Sequence, residues 1–397
     1  MARTQTDIVI AGGGVAGLTA AVAFGQAGFG VTIIDPTPPV INQSDAGADL
    51  RTTAFLQPAR AFLERAGIWE RYAPFATPLK TMRIVDAAQD PVVEREFHSA
   101  DISDAPFGWN LPNWLLRREL VDALNALPNV DFRTGVGFRA MLPRMRENIV
   151  TLDDGKQLSA KLVIGADGRN SAVRQAAGIN HATTRYGQKA LVFAVSHDHP
   201  HDNVSTEVHQ KGGPFTLVPL PDYKGRSCSA VVWMASGPDI MALAALDDTA
   251  FSLAATHRSA HQFGALTLVS KRGMWPIISQ VAASLTAQRT ALVAEAAHVM
   301  PPIGAQGLNM SLTDLDCLLN LAQTHSADLG SEAMLDAYQK ARHGDIKLRV
   351  RGIDALNRAS IAGGPLTHGL RGLGLKALHD VAPVRKGLMS LGLGARS

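Results

Sequence analysis

A glycine-rich turn between an apolar strand and a small-residue helix constrains this chain more than any other feature. Asp7 to Ala11 reads as a short strand, and Gly12-Gly13-Gly14-Val15-Ala16-Gly17 follows at once. A helix is expected from about Val15 to Gly28, and a second apolar run, Val31 to Asp35, completes a strand-helix-strand unit. In such a turn Gly12 permits the tight reversal, Gly14 lets the backbone approach a diphosphate, and Gly17 lets the helix pack close on the strand. The helix start adds free N–H donors and the positive end of its dipole. Asp35 ends the second strand 18 residues after Gly17, placed to accept a hydrogen bond from a ribose hydroxyl. A dinucleotide is the expected ligand, although the glycines alone do not separate FAD from NAD. A turn that binds nothing is the plain alternative, and strand, helix and acid in register weigh against it.

At 397 residues the chain is too long for one ordinary core, so two domains are expected. Hydrophobic residues make up 46% and charged residues 18%, which excludes disorder and fibrous architecture. The formal net charge of +3 comes without a dense Lys/Arg block, so no nucleic-acid partner is expected. Cys228 and Cys317 are the only cysteines and lack metal-ligand spacing, so neither a disulfide framework nor a metal site is expected, and a reducing cytoplasm fits. No run of about 18 uncharged apolar residues occurs, so no membrane-spanning segment is expected.

The loop from Pro36 to Asp49 precedes an expected helix from Thr53 to Ala66. A helix is also expected from Trp114 to Leu127, with strands around Val130 to Phe138 and Val150 to Ile164. Alternating segments between Gln188 and Met234 read as an antiparallel sheet, the candidate substrate domain. A strand at Thr290 to Val293 then leads to a helix opening at Gly307 to Asn309. Leu308, Leu312, Leu315 and Leu319 recur at helical spacing, so that helix start directs free N–H groups at whatever precedes it. It can stabilise a nearby negative charge by up to about 2 kcal/mol. No fixed-period repeat or low-complexity tract is visible.

Two further motifs point to FAD. Leu162 to Gly168 is an apolar strand ending in Asp167-Gly168, continued through Ser171 to Arg174. Ala291 to Asn309 contains Ala294-Glu295 and then Pro301-Pro302-Ile303-Gly304-Ala305-Gln306-Gly307-Leu308-Asn309. Together with the glycine turn, these segments resemble those of the FAD-dependent aromatic hydroxylases that act on prenylated phenols in ubiquinone biosynthesis. The resemblance spans nearly the whole chain. It implies an α/β fold: a Rossmann-like FAD-binding domain, an inserted antiparallel β-sheet substrate domain and a C-terminal helical region. The implied division gives FAD binding to residues 1–75, 109–185 and 276–350. Substrate-domain strands fall to 76–108 and 186–275, and the helical region to 351–397.

By resemblance, Asp167 lies near both FAD and the route of the pyridine nucleotide, and Glu295 bonds a ribityl hydroxyl. Pro301 and Gly304 lie near the flavin's reactive edge, and Gly307, Leu308 and Asn309 meet its pyrimidine ring. Asp49 to Ala54 resembles the family's arginine segment, which makes Arg51 an FAD contact; Trp109 to Leu120 makes Arg118 another and Asn113 a weaker one. The family usually has Gly-Asp where this chain has Ala294-Glu295, which puts the carboxylate on a longer arm. His298 on its apolar stretch reads as a structural residue. An Asp-Gly turn with Ser171 as a helix cap remains the plain alternative for the second motif.

The implied reaction is hydroxylation of a polyprenylated phenol through a flavin C4a-hydroperoxide, with bound FAD, O₂, and transient NADH or NADPH. A flavin reductase or halogenase, a non-catalytic FAD-bound subunit of a biosynthetic assembly, and an NAD-dependent dehydrogenase are the alternatives. Leu366, Leu370, Leu373, Ala377, Val381, Val384, Leu388 and Leu391 recur at three- and four-residue steps, with Arg371, Lys376, Arg385 and Lys386 on other faces. Such a basic amphipathic segment suits the inner face of a membrane, a partner in a biosynthetic complex, or packing on the protein's own body.

Overall fold

The computed structural model describes residues 3–361 apart from 46, 50, 89, 90 and 211. The first sheet has eight strands, six of them in the order Thr286–Ala287, Thr290–Leu292, Gln157–Gly165, Thr4–Ala11, Val31–Asp35, Val130–Thr134. The remaining two, Phe138–Pro143 and Asn148–Leu152, form a hairpin that joins Gln157–Gly165. Thr4–Ala11 pairs in parallel with Gln157–Gly165 on one side and Val31–Asp35 on the other. Ile8, Val9, Ile10, Leu162, Val163 and Ile164 are all buried, as expected of strands covered on both faces. The helix Val15–Gln26 is buried from Val15 to Gly25, and its alanines and glycines let it lie close between that sheet and its neighbours. One of those neighbours is the helix Gln306–Thr324.

The expected helix from Thr53 opens instead at Gln57 and runs to Arg65. Thr52–Leu56 before it is a strand paired with Gly108–Pro112, which also pairs with Thr77–Leu79. The two threonines and Phe55 suit a pleated surface, and Pro58 stands where a first helical turn tolerates it.

The second sheet has nine strands. Eight follow the order His298–Val299, Gly273–Ala282, His181–His197, Arg226–Ser236, Gly213–Tyr223, Val204–Gln210, Thr81–Asp86, Val93–His98, and Leu266–Leu268 joins His181–His197. Its pairs are antiparallel except for Val204–Gln210 with Thr81–Asp86, which is parallel. No hairpin joins strands so far apart in sequence, so nothing local fixes their mutual direction. One face packs Phe193, Phe215, Val231 and Trp233 against Ile240 and Phe251 of the helices Gly237–Ala244 and Asp248–Arg258.

The helix Glu332–Ile361 runs 30 residues and reaches both sheets. Tyr338 donates to the Leu292 carbonyl at 3.0 Å on the first, and Asn357 donates to Gln188 at 3.2 Å on the second. Residues 351–361 of the expected C-terminal region continue this helix, while the amphipathic stretch from Leu366 to Leu391 lies outside the described residues. No helix among the described residues is long and apolar enough to cross a membrane.

Candidate active site

The glycine turn is shaped by what each glycine meets. Gly12 has φ +112°, and a methyl group there would stand 2.3 Å from the Ala166 carbonyl oxygen. At Gly17 it would stand 1.9 Å from the Gly12 carbonyl oxygen, so helix and turn touch backbone to backbone. Gly14 is different: nothing lies within 4 Å of that direction. It caps a helix that has no side-chain cap and no acid in its first turn, which leaves N–H donors facing the open space. Asp35 accepts from the Gly13 N–H at 2.5 Å and from the Thr37 N–H at 2.8 Å, and so fixes the floor of the turn.

The Asp167 segment adjoins it. Ser171 donates to Asp167 at 2.5 Å, the Val173 N–H donates to its other oxygen at 3.0 Å, and the Arg174 N–H donates to Ser171 at 2.9 Å. Ser171 therefore caps the short helix Ala172–Ala176, as the plain alternative held. Arg174 is buried and donates to the Ala296 carbonyl at 2.8 Å, which ties this motif to the next.

At that next motif Ala294 has φ +54°, the left-handed region where a side chain is unfavourable, which gives a physical reason for the family's glycine. Glu295 is half exposed, 3.9 Å from Arg51. His298 is buried 2.6 Å from Asp314, the structural role read for it from sequence. Pro301 is buried, and Gly304 (φ +63°) and Ala305 (φ +55°) turn the chain into the helix Gln306–Thr324, which has no side-chain cap. A methyl group on Gly307 would also meet nothing within 4 Å. Asn309 accepts from the Leu56 N–H at 2.9 Å and donates to the Ala54 and Ala305 carbonyls, both at 2.7 Å. Its side chain staples the helix start to the strand Thr52–Leu56, and any further ligand at this end must use backbone.

Arg51 forms a two-pronged pair with Asp49, at 2.9 and 2.8 Å, and lies 4.3 Å over the Trp275 ring. Asp49 also accepts from Asn113 at 3.1 Å and stands 3.6 Å from Arg117. Burial opposes its charge, but Arg51, Asn113 and Arg117 outweigh burial and hold its carboxyl below the ordinary range. Arg118 pairs with Glu119 at 2.8 Å and lies over Trp114 and Phe75. Arg117, which sequence reasoning did not single out, faces the Asp49 hub and keeps its Nε buried without a hydrogen-bond partner. Trp275 was missed as well. It joins Arg51, Val192, Lys271 and Gly47 around a cleft between the arginine segment and the second sheet.

Residues 5–351 match the FAD binding domain family. The chain belongs to that family. It is 31% identical over 394 residues to the ubiquinone hydroxylase UbiL of Rhodospirillum rubrum, covering 98% of this chain and 89% of that one. It is 27% identical over 397 residues to the 3-demethoxyubiquinol 3-hydroxylase of Escherichia coli, covering 99% and 100%. Among solved structures it shares the fold of the p-nitrophenol 4-monooxygenase PnpA of Pseudomonas putida, with TM-score 0.81, 18% identity and full coverage of both chains. The cradle suits the family's cofactor. Two uncapped helix starts, each with a glycine open to space, lie on helices packed against one another.

Proposed function

We propose that this FAD-dependent monooxygenase hydroxylates the aromatic ring of a polyprenylated phenol in ubiquinone biosynthesis, using O₂ and NADH or NADPH. The likeness to ubiquinone hydroxylases along the whole chain supports the substrate class. The observation that carries the site is the pair of open glycines, Gly14 and Gly307, on two uncapped helices in contact. In this reading residues 1–75, 109–185 and 276–350 hold FAD, and residues 76–108 and 186–275 face the substrate.

Gly12 and Gly17 shape the turn, Gly14 leaves room for the diphosphate, and Asp35 receives the ribose. Arg51, Arg118, Asp167 and Glu295 contact the cofactor along its length, and Arg117 joins them through its unpartnered Nε. Backbone N–H groups of Gly307 and Leu308 meet the flavin's pyrimidine ring, with Asn309 holding them in place from behind. Pro301 and Gly304 border the reacting edge. Bound FAD supplies the oxygen-activating redox chemistry, which no side chain can. The uncapped start of Gln306–Thr324 stabilises negative charge beside it. Val192 and Val232 stand opposite one another, with Thr216 beside Val232, on the sheet face turned away from Phe193, and the two valines offer apolar surface that can exclude water and take a greasy ring.

The test uses the purified chain with FAD, NADH or NADPH, ¹⁸O₂ and a short-chain prenylated phenol. One ¹⁸O atom in the product and phenol-stimulated oxidation of the nicotinamide are expected. Peroxide as the sole oxygen product with every phenol tried would sink the proposal.

A further inference from the structure

The loop from His298 to Gln306 is tied at both ends to one helix by a continuous run of alternating charges. At its start, His298 Nε2 lies 2.6 Å from Asp314 Oδ2, and Asp314 Oδ1 accepts from Arg342 Nε at 2.8 Å. All three residues are buried. Arg342 then donates through Nη1 to Asp345 Oδ2 at 2.8 Å, and Asp345 Oδ1 accepts from Arg349 Nε at 3.0 Å. The run returns to the loop where Arg349 Nη1 meets Gln306 Oε1 at 3.5 Å, while Gln306 Nε2 donates to the Gly304 carbonyl at 3.0 Å. Arg342, Asp345 and Arg349 all stand on Glu332–Ile361.

The loop needs such support. Gly304 and Ala305 are consecutive residues in the left-handed region, and Ala305 carries a side chain there. A conformation of that kind persists only where its surroundings over-determine it. Asn309 holds the Ala305 carbonyl from one side, and Gln306 holds the Gly304 carbonyl from the other. The second hold depends on the direction of the Gln306 amide, whose oxygen faces the Arg349 guanidinium at 3.5 Å.

We propose that Arg349, oriented by Asp345, is a positioning residue: through Gln306 it fixes the Pro301–Ala305 turn against the flavin. The flavin half rests on the proposed function, whereas the tether is a property of the protein alone. The two are therefore read separately. Hydrogen–deuterium exchange of the FAD-free protein reports the turn, and FAD affinity with the two-electron reduction potential reports its use. Arg349→Met should speed exchange by about tenfold at the bonded amides of this segment, Ile303 and the first bonded turn of the helix at residues 309–310. It should also weaken FAD binding severalfold or move the potential. Arg349→Lys should restore part of both effects, Asp345→Asn should repeat them in weaker form, and Arg351→Met, at an exposed position on the same helix, should change neither. Unchanged exchange in Arg349→Met would overturn the tether. Faster exchange with FAD affinity and potential both unchanged would overturn the positioning role. A wild-type chain that takes up no FAD would instead overturn the functional reading, and exchange would still decide the tether.

Discussion

Gly14 and Gly17 stand three residues apart in one turn, yet a methyl group has opposite consequences at the two. At Gly17 it would lie 1.9 Å from backbone, so Gly17→Ala should cost about 1–3 kcal/mol of stability in urea unfolding. At Gly14 it enters open space, so Gly14→Ala should leave FAD-free stability within about 1 kcal/mol of the wild type. Titration by flavin fluorescence should nevertheless show FAD binding about tenfold weaker, equivalent to about 1.4 kcal/mol. Equal loss of stability in both variants would contradict this division. Ala294 makes a third case: its φ of +54° predicts that Ala294→Gly raises stability by about 1 kcal/mol, read by the same unfolding method. The close backbone packing at Gly12 and Gly17 could be read from sequence because the turn is built from contiguous residues. Which of Arg117 and Arg118 faces Asp49 could not, since neighbours on a helix point about 100° apart. That choice is made by Asp49, in a loop nearly seventy positions upstream.

Elements are joined at a few charged hubs, of which Asp49 links its own loop to Arg51 and to the helix Asn113–Asn125. Its carboxyl is held below the ordinary aspartate range, so the stability it contributes is present above that range and lost as pH falls through the folded pKa. Unfolding free energy measured from pH 6 to pH 3 should drop below about pH 4, and Asp49→Asn should flatten that limb while lowering the plateau. An acid limb unaltered in the variant would remove Asp49 from this role. The strand Val31–Asp35 has the bounds its apolar run implies, and the helix Gln306–Thr324 opens one residue before the glycine expected to start it. The strand Thr52–Leu56 was hidden inside an expected helix because its partner, Gly108–Pro112, lies more than fifty residues on. Phe55 then stacks on Tyr72 at 5.8 Å, a contact that periodicity within one segment does not reveal.

Across the molecule the two sheets are bridged rather than merely adjacent. The helix Glu332–Ile361 touches both sheets and meets Tyr186 of the second through Asp354, while Asn110, on the three-stranded sheet of Thr52–Leu56, Gly108–Pro112 and Thr77–Leu79, donates to the Pro219 carbonyl of the second at 2.9 Å. Calorimetry should therefore show one unfolding transition that FAD moves upward as a whole, by about 2.7 kcal/mol at a hundred times its dissociation constant. Two transitions with only one responding would show the sheets to be energetically independent. The second sheet could be read from the alternating strands after Gln188, but the parallel pairing of Thr81–Asp86 with Val204–Gln210 could not, since it depends on where the chain re-enters the sheet. The same interleaving governs how the protein can be born. Thr4–Ala11 leaves the ribosome early, yet its neighbour Gln157–Gly165 is made some 150 residues later, and that strand's own parallel neighbour, Thr290–Leu292, later still. Neither sheet is finished while the other is absent, so the nascent chain carries open apolar strand edges through most of its synthesis.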